Sequence, residues 1–186
     1  LTTAQVKNAI QSSIAHYQRQ RFYFNESRAQ TFPTVASQEF YTSTDNTNIP
    51  NLSHIDNLKI TVNSTLYPLN VQSWDWMERI SSTATALGQP TDYCYYAQQL
   101  RLYPIPDAVY TIRISGLVRL TTLSADADTN AWMTDGEELI RGRSKWDLAT
   151  NVVYAAEIAN AAAGMESIAL RVLKAETARR LASRIN

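Results

Sequence analysis

The first apolar residues of the chain fall at helical spacing. Val6, Ile10, Ile14 and Tyr17 share one face of a helix predicted over residues 2–20, with Thr2 and Thr3 placed to cap it. From Phe22 to about Leu123 the period changes. Short runs of Tyr, Ile, Val and Thr alternate by two between turn residues, which predicts strands over 34–41, 58–62, 66–71, 93–97, 100–103 and 109–118. In the last of these, Tyr110, Ile112 and Ile114 share one face and Thr111, Arg113 and Ser115 the other. A short helix over 73–81, with Trp74 and Met77 on one side, interrupts the strands. Beyond Asp135 the strand pattern ends. Residues 137–163 are Ala-rich, with Leu139, Ile140, Trp146, Ala149, Val153 and Ala156 at helical spacing. Gly164 is expected to break that helix. A last helix over 165–185 then carries Met165, Ile168, Val172, Ala175, Ala182 and Ile185 along one stripe.

These periods divide the chain into an N-terminal helix (1–21), a β-rich segment (22–123) and C-terminal helices (124–186). The predicted fold class is α+β: a helical bundle of one N-terminal and two C-terminal helices, interrupted by a large antiparallel β insertion. Helices of this length are marginal alone in water and must pack on one another. No internal repeat and no low-complexity linker is present.

Bulk composition narrows the function. A chain of 186 residues, 45% hydrophobic and 18% charged, is globular and large enough for one domain with a sizeable insertion. Lys+Arg and Asp+Glu are both 17, which argues against a broad nucleic-acid-gripping face. The single cysteine, Cys94, excludes an intrachain disulfide and is expected as a small apolar core residue, in keeping with a reducing compartment. No apolar run is long enough to span a membrane, and no signal-peptide pattern opens the chain, so export by the usual route is not expected. The first residue is Leu1, which suggests a missing start methionine or tag.

Candidate chemistry is sparse. His16 and His54 stand in no metal-ligand or nucleophile spacing and read as surface or boundary residues. There is no Gly-x-Ser-x-Gly elbow, Gly-rich phosphate loop or Cys-x-x-Cys pair, and five glycines are few for a phosphate cradle. Carboxylate pairs such as Asp45/Asp56 and Glu137/Glu138 are what any chain of this size supplies. Asp126, Asp128, Asn130, Thr134 and Glu137 match positions one, three, five, nine and twelve of a calcium loop. The sixth position, which needs glycine, is Ala131, and no entering helix precedes it. Asp135 as a helix cap, with Glu137 and Glu138 complementing the dipole, is the simpler reading. The sequence therefore implies no enzyme, no cofactor and no metal.

Aromatic residues are in surplus: ten Tyr and four Trp. Tyr93, Tyr95, Tyr96 and Tyr103 cluster near a predicted hairpin, suited to cross-strand packing or to contact with another protein. The last helix carries Arg171, Lys174, Arg179, Arg180 and Arg184 against Glu166 and Glu176. A solvated basic face complementing the dipole is the plain reading, and docking on an acidic partner the functional one.

Arg21-Phe22-Tyr23-Phe24-Asn25-Glu26 opens a string of segments in fixed order that resembles the head–tail adaptor (connector, head-completion) proteins of tailed bacteriophages, where the segment reads Arg-Phe-aromatic-Phe-Asn-Glu. The run Thr31-Phe32-Pro33-Thr34-Val35-Ala36-Ser37-Gln38-Glu39-Phe40-Tyr41 looks like its Phe-x-Thr-x-Ala-Gly-Gln-x-x-Tyr strand, with Ser37 where glycine is usual. Ile55-Asp56-x-Leu58, Tyr67-Pro68-Leu69, Trp74 and Gly88-Gln89-Pro90-x-x-Tyr93 follow, then Leu100-Arg101-Leu102-Tyr103-Pro104-Ile105-Pro106-Asp107-x-x-Tyr110-Thr111-Ile112. Leu123, Trp132 and Glu138-Leu139-Ile140 lead into the tail. The similarity runs to about residue 160, and the final helix matches only in character.

The resemblance implies a twelve-subunit ring of this chain below the portal protein, in the neck of the virion between capsid and tail, assembled in the host bacterial cytoplasm. Its lumen would pass the genome DNA without sequence-specific binding. The implied partners are the chain itself, the portal, and tail, nozzle or second connector proteins; no membrane is involved. Expected portal contacts are Arg171, Lys174, Arg179, Arg180, Arg184 and Ile185. Expected ring or tail contacts are Trp74, Trp76, Tyr95 and Tyr103. The competing readings are a carbohydrate- or cell-wall-binding tail module, which predicts a monomer with sugar-dependent Trp quenching, and another tail-completion protein, which differs by partner.

Overall fold

In the computed structural model, which describes residues 1–81, 86–121, 123, 125 and 127–182, helices lie at both ends of the chain and strands between them. The elements are α1 (Thr3–Tyr17), β1 (Glu26–Pro33), β2 (Phe40–Tyr41), β3 (Leu52–Val62), β4 (Thr65–Pro68), β5 (Asn70–Val71) and α2 (Trp74–Ser81). They continue with β6 (Leu87–Gly88), β7 (Asp92–Tyr96), β8 (Gln99–Tyr103), β9 (Ile105–Pro106), β10 (Thr111–Val118), α3 (Ala131–Thr134), α4 (Glu137–Leu148) and α5 (Ala156–Ala182). The fold class is α+β. Two compact units result: one of Leu1–Asn25 with the residues from Arg119 on, the other of Glu26–Val118.

The sheet unit is built on alternation. β10 lies between β1 and β3, and β4 extends the sheet beyond β3, all antiparallel. In this register Ile112 stands opposite Ile60 and Phe32, and Ile114 opposite Leu58. The second sheet, β2-β8-β7-β5, contributes Tyr41, Leu100, Leu102 and Tyr93 to the same core. Each fully buried Leu or Ile there is worth roughly 1.5–3 kcal/mol. Two strand pairs, β5 with β7 and β6 with β9, are parallel. The predicted strand over 34–41 is strand only at Phe40–Tyr41. Before it the chain turns through Ser37 at φ 65°, and the Tyr41 hydroxyl holds the turn, donating to the Gln38 carbonyl at 3.1 Å and accepting from the Val35 N–H at 3.2 Å. β1, polar over Glu26–Arg28, carries no alternation that the sequence reading could detect.

The helical unit is tied by close contacts at small residues. A capping box opens α1: the Thr2 hydroxyl accepts from Gln5 N–H and the Gln5 side chain accepts from Thr2 N–H at 2.8 Å. Its buried face is Ala9, Ser13 and Tyr17, with Ile10 and Ile14 packed at the edge. Ser13 Oγ lies 2.9 Å from Ser144 Oγ of α4. On its other side α4 meets α5 at Gly142, where even a methyl group would stand 2.8 Å from the backbone nitrogen of Glu166. Phe22 and Phe24 stack at 5.4 Å and both meet Trp132 edge-on, at 5.6 and 5.0 Å. The segment following α1 therefore belongs with the helices. The compact units divide at Asn25/Glu26 and Val118/Arg119, a few residues inside the ends of the 22–123 segment read from the sequence.

Two local expectations fail. The C-terminal helices are separated by a five-residue π turn, Ala149–Val153, and by Tyr154 in the left-handed region at φ 56°. α5 then runs unbroken through Gly164, because one helical glycine costs only about 1 kcal/mol and the packed face on either side of it outweighs that. Asp135 is not the N-cap of α4, a place that Gly136 takes without a side-chain bond; it is the C-cap of α3. Asn130 caps α3, accepting from Trp132 N–H at 2.9 Å, while Asp135 accepts the Tyr23 hydroxyl at 2.8 Å.

Candidate interaction surfaces

In the sheet unit one of the predicted contact residues, Trp74, lies over a buried cation. β8 shows no alternation, since Leu100, Arg101 and Leu102 are all buried. Arg101, 4% exposed, donates to Glu39 at 2.6 Å and to Glu78 of α2 at 2.5 Å. Burial disfavours its charge, but the bonds to the two carboxylates outweigh that and raise its pKa. Over the guanidinium lie Phe40 and Trp74, each 5.1 Å from it, and the Tyr96 ring packs tilted against Trp74 at 4.8 Å. The result is an aromatic surface of half-exposed Trp74 with exposed Phe40 and Tyr96, held from beneath by an ion pair. The sequence reading chose Trp74 and placed Tyr96 in its tyrosine cluster, but missed Phe40 and Arg101. Of its other choices, Trp76 meets Tyr103 edge-on at 5.9 Å. Tyr95 is a structural residue whose hydroxyl donates to the Ile49 carbonyl at 2.7 Å. Buried Cys94 has a raised pKa, from burial first, and is an inert thiol.

In the helical unit α5 has two apolar stripes, and only one is covered. Ala159, Ala162, Ala169, Leu173 and Thr177 are buried in the unit. The stripe that the sequence made prominent is the outer one: Ile158, Met165, Ile168 and Val172 are 56%, 43%, 58% and 60% exposed. Helix-end charge is largely engaged within the unit. Arg179 and Arg180 both bond Glu176, at 3.1 and 2.9 Å, and Arg180 also stands 3.7 Å over the Tyr23 ring. Arg171 and Lys174 are exposed. Arg184 and Ile185 lie outside the described residues. Deeper in, Glu166 receives the Tyr17 hydroxyl and pairs with Arg143 at 3.4 Å. Burial first, then the bond to Glu166, pushes the Tyr17 pKa well up. A groove of about 300 Å³ runs along α1 and α4, walled by Val6, Ile10, Met133, Ile140 and Leu148.

The titratable residues singled out in the sequence do not converge. His16 is exposed on α1 against Tyr17, and His54 pairs with Asp56 at the surface, 3.5 Å apart. Among the described residues no group of three or more His, Cys, Asp or Glu is placed to hold a metal ion. Asp126 of the calcium-loop pattern lies outside them, and Asp128 accepts from the Ala125 N–H at 2.7 Å. Among the described residues no helix is long and apolar enough to cross a membrane.

A family model described as SU10 adaptor protein matches residues 1–185. No curated protein matches the chain.

Proposed function

The chain belongs to the SU10 adaptor protein family, structural adaptor proteins of bacteriophages, and from that premise we propose that it forms a ring below the portal in the neck of the virion. Twelve copies join capsid to tail in this reading, and the genome leaves through their lumen without sequence-specific contact. Equal numbers of basic and acidic residues suit a conduit, since a strongly basic wall would hold DNA and slow its passage. Assembly takes place in the host bacterial cytoplasm.

The observation that carries the assembly reading is the outer stripe of α5, a row of large apolar side chains left in water by its own unit. An exposed contiguous patch of that kind is often a site of contact with a partner. The aromatic surface of Phe40, Trp74 and Tyr96 is the second contact, assigned to tail, nozzle or second connector proteins. Lys174 and Arg179, in the later turns of α5, are assigned to an acidic surface of the portal.

Native mass and negative-stain imaging test the reading, on the chain alone and mixed with the portal protein of the same genome. A closed ring, or a monomer that becomes one on the portal, is the expected result. A chain that stays monomeric and ignores the portal refutes it. Deleting residues 165–186 would remove Ala169 and Leu173 from the core, so the portal contact is better tested by reversing the charges of Lys174 and Arg179. Wild-type portal affinity in that variant removes the assignment.

A further inference from the structure

We propose that the outer stripe of α5 seats in the α1/α4 groove of the next copy, and that this heterologous contact is the subunit interface of the ring; the inference rests on the ring reading above. The stripe has the spacing of a helix-packing seam. Ile158, Ala161, Met165, Ile168, Val172 and Ala175 alternate steps of three and four, the a/d pattern that a facing helical surface covers. Its own unit leaves it largely exposed among the described residues: at 100° per residue the stripe is turned about 105° from the buried stripe of Ala159, Ala162, Ala169 and Leu173. The four large side chains leave roughly 400 Å² in water, half of the roughly 800 Å² each partner gives to a standard interface.

The groove is the matching surface. It lies on the side of α4 turned away from α5: Gly142 meets Glu166, whereas Ile140, Ser144 and Leu148 line the groove. Val6, Ile10, Met133 and Leu148 are all partly exposed there. One unit thus carries a ridge and a groove on different faces. A two-fold pair would need ridge and groove to face the same partner; set on different faces, each copy uses its ridge on one neighbour and its groove on the other, an arrangement that forms a ring when its rotation closes.

Charge sets the direction. Along the groove Glu137, which pairs with Arg141, stands at one end and Lys145 at the other; along the stripe Glu157 stands at one end and Arg171 at the other, so that Arg171 would share Glu137 with Arg141. Antiparallel seating brings Arg171 to Glu137 and Glu157 to Lys145, while parallel seating sets like charges together. The spans differ, about 21 Å on α5 and about 12 Å on α4 by the helical rise, a gap that Arg and Lys stems at the two ends can bridge. Arg171 then serves the ring and not the portal.

Complementation by broken surfaces tests this. Ile168→Asp destroys the ridge and Val6→Glu the groove; both sites are partly exposed, and circular dichroism of each full-length variant checks its fold. In native mass measurements, on the chain alone or on the portal protein, each variant alone should fail to form rings. An equimolar mixture should give a one-to-one pair that grows no further, because one intact ridge meets one intact groove. Should Val6→Glu fail to fold, the charge pair serves: Lys145→Glu should weaken association at least tenfold, and Glu157→Lys in the same chain should restore it. Rings of unaltered stability from Ile168→Asp would overturn the interface and leave the ring standing. Ring loss in both variants with no pair in the mixture, or no rescue by the charge swap, would overturn the groove assignment. A wild-type chain that forms no ring alone or on the portal overturns the ring reading, and this inference with it.

Discussion

Replacing Gly142 and Gly164 by Ala, one at a time, probes the pairing of α4 and α5 with opposite expected signs. Both glycines are helical, so each substitution gains about 1 kcal/mol of helix propensity. At Gly164 nothing lies within 4 Å of the added carbon, and the gain stands. At Gly142 the added carbon meets Glu166 at 2.8 Å from its nitrogen, 3.0 Å from its Cα and 3.2 Å from its Cβ. Two of those atoms are backbone, and the Glu166 side chain is itself held by Tyr17 and Arg143. Relief requires the helices to part by roughly 0.5 Å, which weakens dispersion contacts along the seam. Overpacking of this kind costs about 1–3 kcal/mol, leaving a net loss near 1 kcal/mol after the propensity gain. The two variants should therefore differ by about 2 kcal/mol. Urea unfolding followed by far-ultraviolet circular dichroism, which reports chiefly on the helical unit, measures that gap. Equal stabilisation by both would refute the close α4–α5 approach. No stabilisation from Gly164→Ala would mean that the helix breaks at that residue after all.

Three further outcomes are expected. Arg101→Met leaves Glu39 and Glu78 facing each other beneath Phe40 and Trp74; because Glu78 is 54% exposed, the loss should sit at the low end of a buried-pair deletion, about 2–3 kcal/mol. An unchanged urea midpoint by Trp emission would show that the cation does not hold the aromatic surface. Ser37→Gly relieves a left-handed residue at φ 65° and should be neutral or stabilising by up to about 1 kcal/mol, whereas Ser37→Val should lose about 1–2 kcal/mol; like behaviour of the two would contradict the turn. Tyr17, Tyr41 and Tyr93 have pKa values raised above 10, by burial first. Folded tyrosines keep protons that unfolded ones release, so this stability is complete below about pH 10 and is lost as pH rises towards the folded values. Phenolate absorbance and denaturation midpoints against pH should show late ionisation coinciding with unfolding; early, reversible ionisation of every tyrosine in the folded chain contradicts it.

Much of the fold is legible in one dimension because periodicity is a local property. Alternation in Tyr110–Ile114 and the spacing of Val6, Ile10 and Ile14 mark strand and helix directly, and composition indicates a protein that works by contact. The Arg21–Glu26 segment and Ser37 could be recognised before their reasons were visible: a Phe22/Phe24/Trp132 cluster, an Asn25 side chain bonding Phe22 N–H and the Gln20 carbonyl, and a left-handed turn. What the sequence could not decide is which apolar stripe faces inward. On α5 the larger side chains, Ile158, Met165, Ile168 and Val172, promise a core, yet the tight approach at Gly142 admits only the small face of Ala159, Ala162 and Ala169. Periodicity gives each helix its faces; the distance between helices, set by residues far apart in the chain, selects the one that is buried. The Arg101 site has the same origin, since Glu39, Glu78 and Arg101 carry no shared period and meet only because β8 and α2 are brought together. The sequence alone determined the order of helix, strands and helices, most of the longer elements and the absence of recognisable catalytic motifs, and tertiary packing decided which surfaces stay exposed.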